Sequence, residues 1–202
     1  MVGKILPLME SILLPGLAWV NHVNIHSDGQ LDVTYAATGI PFPNGIAVRG
    51  EKVAVAATSQ SAVHFYRRSG DNKLKFEELV LLPFCPDNVG FEDDGQLIVA
   101  GHPNFPAITR VAAQKTEHAP SWVVAIAPRT KPFNASEARQ EDIDAPYPVS
   151  RRVPISQTHK VTTLYQSNGV AFSTSATGLW DSRSETLFAA GLYQEGLLFC
   201  QC

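Results

Sequence analysis

Three times along this chain an asparagine stands at the mouth of a short, strand-type apolar run, and the first two copies share one register. Pro43-Asn44-Gly45-Ile46-Ala47-Val48 is followed, nine residues after its Asn, by a run opening at Val53. Asp87-Asn88-Val89-Gly90-Phe91 is followed, again nine after its Asn, by Leu97-Ile98-Val99-Ala100. Ser167-Asn168-Gly169-Val170-Ala171-Phe172 reads as the third copy, with a longer gap before Leu187-Phe188-Ala189-Ala190. Each copy then supplies a further strand, at Val63–Tyr66, Trp122–Ala127 and Leu197–Phe199. The asparagines stand 44 and then 80 residues apart, the second interval being the first plus a long interruption. A unit of about four strands in ~40–50 residues is the signature of a propeller blade. The reading is an all-β, incomplete β-propeller of about four blades. A β-sandwich is the runner-up, but it gives no reason for an Asn to open the inner strand of each copy.

The rest of the chain fits that texture. Further strands are expected at Leu17–Ile25, Leu31–Ala36 and Val161–Tyr165, bounded by explicit turns such as Ser27-Asp28-Gly29 and Asp93-Asp94-Gly95. Residues 3–14 differ, because Ile5, Leu8, Met9, Ile12 and Leu13 fall at helical spacing and Pro15-Gly16 stops the run. One amphipathic helix is expected there, packing on the sheets or lying against a lipid surface. Residues 128–160 are rich in proline and charge without periodicity and read as a long loop. The domain reading is a single partial propeller over 1–202, with its blades over 17–202.

In a propeller the first strand of each blade lines the central channel, so an Asn or Asp at its start faces the channel mouth. Several blades doing this place hard oxygen donors in a ring. Such donors suit Ca²⁺, which takes roughly 6–8 oxygens, better than a soft or tetrahedral metal. Asn44, Asp87 and Asn88 are the candidate ligands. The same dipeptides also make ordinary turns, in which the Asx side chain binds its own backbone.

Several stretches together resemble the serum paraoxonase/arylesterase family. They are Pro15-Gly16-Leu17-Ala18-Trp19 leading to Phe42-Pro43-Asn44-Gly45-Ile46, then Asp87-Asn88 followed by Val99-Ala100-Gly101-His102-Pro103-Asn104, and then Tyr165 to Gly169 with Leu198-Phe199-Cys200 near the end. The resemblance implies a six-bladed propeller hydrolysing aryl esters and lactones with a catalytic Ca²⁺. It implies that Asn44, Asp87 and Asn88 are three ligands of that ion, and that His102 and Asn168 stand at the pocket rim. It implies that Cys200 matches a cysteine bridged to one nearer the family's N-terminus. It also implies that the other ligands and the catalytic histidine pair come from earlier blades that this sequence does not match. The contexts of His22, His26, His64, His118 and His159 do not match that pair. The partner implied is a small ester or lactone; the alternative is a non-catalytic partial propeller that acts as a binding module.

Composition narrows the remaining classes. Charged residues are 17% and the formal net charge is −3, with no basic run longer than Arg67-Arg68 or Arg151-Arg152, which argues against nucleic acid as a partner. No apolar run reaches the ~18 residues of a membrane span, and no signal peptide is read at the start. Three cysteines, Cys85, Cys200 and Cys202, fit no zinc spacing. The sequon Asn134-Ala135-Ser136 is a candidate glycosylation site, and with Cys200 it leans the reading toward a secreted protein.

Overall fold

The computed structural model describes residues 16–134 and 154–201. The expected helix at 3–14, most of the 128–160 stretch and Cys202 lie outside them. Thirteen strands in four sheets and one helix make up the described residues. A hairpin of β1 (Ala18–Ile25) and β2 (Leu31–Ile40) comes first. A four-stranded antiparallel meander follows: β3 (Pro43–Arg49), β4 (Lys52–Ala57), β5 (Ala62–Arg68) and β6 (Leu74–Leu81). The second meander is β7 (Cys85–Phe91), β8 (Leu97–His102), β9 (Ser121–Pro128) and β10 (His159–Ser167). The last sheet has three strands, β11 (Ser175–Asp181), β12 (Thr186–Gly191) and β13 (Leu197–Gln201).

Period-two alternation explains how the sheets stack. In β4, Val53, Val55 and Ala57 face one way and join Ile40 of the hairpin in a core. Ala54 faces the other way and joins Val63, Phe65, Trp122, Val124 and Ile126 in a core between the two meanders. In β8 and β9, Ile98, Ala100, Val123 and Ala125 take the remaining face and meet Leu187 and Ala189 of the last sheet. The middle sheets are therefore apolar on both faces, as a strand buried on both sides must be. The order is hairpin, first meander, second meander, three-stranded sheet, with one core at each junction.

Two expectations are corrected and two elements are added. The third repeat does not open at Asn168, because residues 168–174 are irregular and the first strand of the last sheet is β11, starting at Ser175. Val170–Phe172 is accordingly not a strand. Phe172 is buried against Tyr165 in the third core, whereas Val170 is 71% exposed. Strand β6, with the charged sequence LKFEELVL, went unpredicted; it is an edge strand held by pairing to β5. The helix α1 (Phe105–Ala112) also went unpredicted, although its signals are present. Asn104 caps it by accepting from the Ala107 amide, Pro106 sits in its first turn, and Ala107, Ile108 and Val111 form its buried stripe. The long stretch after β9 begins and ends clasped, since Arg129 donates from its amide to Thr158 O (2.8 Å) and from Nε to Ser156 O (3.0 Å).

Two histidines packed among the strands set a pH dependence. Burial holds the His64 imidazole below its ordinary pKa. Its tautomer is set by its neighbours: Nε2–H donates to Gln60 Oε1 (2.6 Å) and Tyr66 OH donates to Nδ1 (3.1 Å). The Tyr66 hydroxyl is itself pushed up to about 12 by burial. Burial also lowers His159, which stacks on Phe65, against the opposing pull of Glu78. Both imidazoles protonate more readily in the unfolded chain, so the unfolded state binds more protons as pH falls through 6.5. Their contribution is complete above that pH and is lost below it. The urea midpoint is expected to be lower at pH 5 than at pH 7.5, and His64→Gln is expected to shrink that difference.

Candidate functional site

β3, β7 and β11 each begin at the same end of the stack, and each carries a break in register near its start. The breaks lie between Pro43 and Ile46, between Pro86 and Val89, and between Ser175 and Thr177. A bulge bends its strand and re-aims the side chains within it. Asn44 stands in the first bulge, Asp87 and Asn88 in the second, and Ala176 in the third.

The first two bulges touch. A Cβ added at Gly45 would lie 2.6 Å from Asn88 Cα, 2.7 Å from Asp87 O and 2.8 Å from Val89 N. Only a residue without a side chain lets the two backbones approach so closely. Asn44 is the neighbour of Gly45, so the backbone that carries it meets the backbone of Asp87 and Asn88, more than 40 residues away in sequence; Asn44 and Asn88 are exposed there, whereas Asp87 is buried. The second and third bulges are joined by a hydrogen bond, Asn88 Nδ2 donating to Ala176 O at 3.0 Å. That bond commits the amide nitrogen and leaves Asn88 Oδ1 as an acceptor. Two hydroxyls tie the sheets together at the same end: Thr58 donates to Pro86 O (2.6 Å) and Ser175 donates to Gly101 O (2.9 Å).

Asp87 is buried, and His102 at the end of β8 is buried beside it. His102 Nε2 lies 3.1 Å from Asp87 Oδ2, the geometry of an N–H donating to a carboxylate. The other ring nitrogen, Nδ1, is buried with no hydrogen-bond partner among the described residues. A buried polar atom of this kind calls for an explanation, of which a functional site is one. His102 therefore touches a candidate ligand directly, a contact that its place in the Gly-His-Pro-Asn motif alone did not specify.

Asn168 stands elsewhere, in the irregular link after β10, where its Oδ1 accepts from the Val170 amide (3.0 Å) in a local turn. Cys85, in β7, is a free thiol whose pKa burial raises, opposed by a contact with Ser61 Oγ at 3.7 Å. Cys200, on β13, is also a free thiol. Asn134 is exposed, and the rest of its sequon lies outside the described residues.

The donor set fits Ca²⁺ in kind. Asn44, Asp87 and Asn88 offer amide and carboxylate oxygens, and no group of three or more His, Cys, Asp or Glu side chains that could hold a metal occurs among the described residues. Three oxygens are fewer than the roughly 6–8 this ion takes, so water or further groups must supply the remainder.

Comparison with known proteins places these observations. The sequence pattern of the family described as Arylesterase matches residues 2–135. No curated protein matches the chain. Two solved structures are similar at 11% identity: a luciferin-regenerating enzyme (TM-score 0.47, covering 85% of this chain) and a candidate gluconolactonase (TM-score 0.45, covering 87%). The chain spans 43% of the length of each.

Proposed function

Because the chain belongs to the arylesterase family, we propose that it is part of a calcium-dependent β-propeller hydrolase of carboxylic esters and lactones. The stacked meanders are its blades, and the whole of 1–202 is one partial propeller. The observation that supports this reading is the backbone contact between the bulges of β3 and β7, which bear Asn44 and the Asp87-Asn88 pair, together with the hydrogen bond from Asn88 to the start of β11.

In this reading Asn44 Oδ1, an Asp87 oxygen and Asn88 Oδ1 hold the ion. A bound calcium supplies Lewis-acid polarisation of an ester carbonyl oxygen. The chain's own residues fix the site. Asn88 cannot rotate without losing its bond to Ala176 O, and His102 restrains one oxygen of Asp87. His102 is thus a positioning residue acting through Asp87. The substrate class is a small ester or lactone.

Calorimetric titration of the purified chain with CaCl₂, beside an Asp87→Ala/Asn88→Ala variant, tests the proposal. Saturable binding by the parent and loss of at least ~100-fold in affinity in the variant is the expected result, since carboxylate count and ligand number set calcium affinity. Calcium-dependent cleavage of an aryl ester in the same samples tests turnover. Equal calcium affinity in both proteins would overturn the ligand assignment.

A further inference from the structure

The β3 and β7 bulges touch at Gly45, and two segments joined at one place can still pivot about it. A second connection lies just upstream of both. It is made by the turn between β4 and β5, residues 58–61. Thr58 opens that turn and is buried. Its amide donates to Phe42 O at 3.1 Å, two residues before Asn44. Its hydroxyl donates to Pro86 O at 2.6 Å, and Pro86 is the residue before Asp87. A single residue of the first meander thus bonds the chain entering each of the two bulges.

The turn is itself held in place. The Ser61 amide donates to Thr58 O (3.1 Å), and the Leu82 amide donates to Ser61 O (2.8 Å) shortly before β7 begins. Ser61 Oγ lies 3.7 Å from Cys85 Sγ, at the first residue of β7. Phe42 has a φ of 49°, in the left-handed region that costs a bulky residue and persists only where the surroundings over-determine it. The bond from the Thr58 amide is one such restraint. On β8, Gly101 stands opposite Pro86 and its carbonyl accepts from Ser175 Oγ (2.9 Å), next to Ala176, whose carbonyl accepts from Asn88. Thr58 is therefore the first member of a series of bonds that runs from the first meander to the last sheet along the end where the bulges lie.

We propose that Thr58 is a positioning residue of the candidate calcium site: it brackets the segment of Asn44 and the segment of Asp87 and Asn88, and with the contact at Gly45 it fixes their rotation as well as their separation. That the positioned ion is calcium rests on the hydrolase reading above; the bracket rests on its bonds alone. Thr58 acts through the backbone of Phe42 and Pro86. Its amide bond is open to any residue but proline, whereas the bond to Pro86 O needs a short side-chain hydroxyl, which only serine and threonine supply. Pro86 is buried, so a lost donor leaves a buried carbonyl to be satisfied some other way, at the expense of the local geometry.

Calorimetric titration with CaCl₂ and amide hydrogen exchange without metal, on the parent, Thr58→Val and Thr58→Ser, test the proposal. Thr58→Val keeps the shape and removes the donor, and is expected to bind calcium about tenfold more weakly, the factor that matches one net hydrogen bond. Thr58→Ser keeps the donor and is expected to bind as the parent does. Affinity is measured on folded protein, so a loss of overall stability that leaves the sample folded does not move it. In the metal-free chain the amide of residue 58 is expected to exchange faster in Thr58→Val, by a larger factor than the amides of Val99 and Val124, which pair at the buried centre of the second meander and report opening of the fold as a whole. Parent-like affinity in Thr58→Val, or a Thr58→Ser variant as weak as Thr58→Val, would overturn the positioning role. So would equal quickening of all three amides, which marks a general support of the fold. A parent that takes up no calcium would sink the ligand reading instead, and the exchange comparison would still decide whether Thr58 brackets the two bulges.

Discussion

Trp122→Ala is expected to lower the unfolding free energy by about 3–5 kcal/mol, the cost of emptying a large aromatic site in a core. Trp122 is fully buried in the junction between the two meanders, tilted against Phe84 at 5.4 Å. Its indole N–H donates to Thr163 Oγ1 at 3.1 Å, and its amide donates to Ser175 Oγ at 3.0 Å. The side chain therefore joins β9 to β10 and fills the space against the first meander, while its backbone is tied to the last sheet. Marginal stability makes a loss of that size a large fraction of the total. Trp122→Phe keeps most of the volume and loses the indole donor, so it is expected to cost less than half as much. Urea unfolding followed by circular dichroism gives both numbers, and near-equal midpoints for parent and Trp122→Ala would contradict this account of the core.

Gly45→Ala is the second large effect, expected at about 3 kcal/mol, the upper part of the usual range for overpacking. The atoms that an added methyl would strike are backbone atoms of Asp87, Asn88 and Val89, which have no rotamer to yield. The two bulges must separate for the methyl to fit, and the candidate ligands separate with them. A protein that still folds with this substitution is expected to bind calcium more weakly than the parent. Gly90→Ala is the matched control on the same β7 strand. Nothing lies within 4 Å of a Cβ added there, so stability and calcium affinity are expected to stay near those of the parent. Equal behaviour of the two variants would mean that the contact between bulges does not organise the site.

Much of the strand pattern was legible because alternation and turn chemistry are local. Val53 to Ala57 and Leu97 to Ala100 read as strands by apolar β-type content, and turns such as Asp93-Asp94-Gly95 mark where the chain reverses. The misreadings share a cause. β6 is charged along much of its length, yet its backbone pairs with β5, an interaction its own sequence does not display. β11, with the sequence SATGLWD, has little strand character, yet it forms the edge of the last sheet packed against β7 and β8 of the second meander. Val170–Phe172 had the right composition and became a link, with Phe172 anchored in the core and Val170 left in solvent.

The same division holds for the site. Asn44, Asp87 and Asn88 stood out because amide and carboxylate groups recur at a fixed distance before a strand, and that recurrence is written in the sequence. Asn168 stood out as a third such asparagine, with a longer gap to the next strand, but its carbonyl oxygen closes a turn on Val170. Sequence alone determined the alternation that makes each middle sheet apolar on both faces, the turns between strands, and the residue types a hard cation accepts. Tertiary structure decided that the bulges of β3 and β7 touch at Gly45 and that His102 lies on Asp87. The reason is range: alternation and turns depend on residues a few positions apart, while sheet stacking joins residues tens of positions apart through backbone and packing that no short segment encodes.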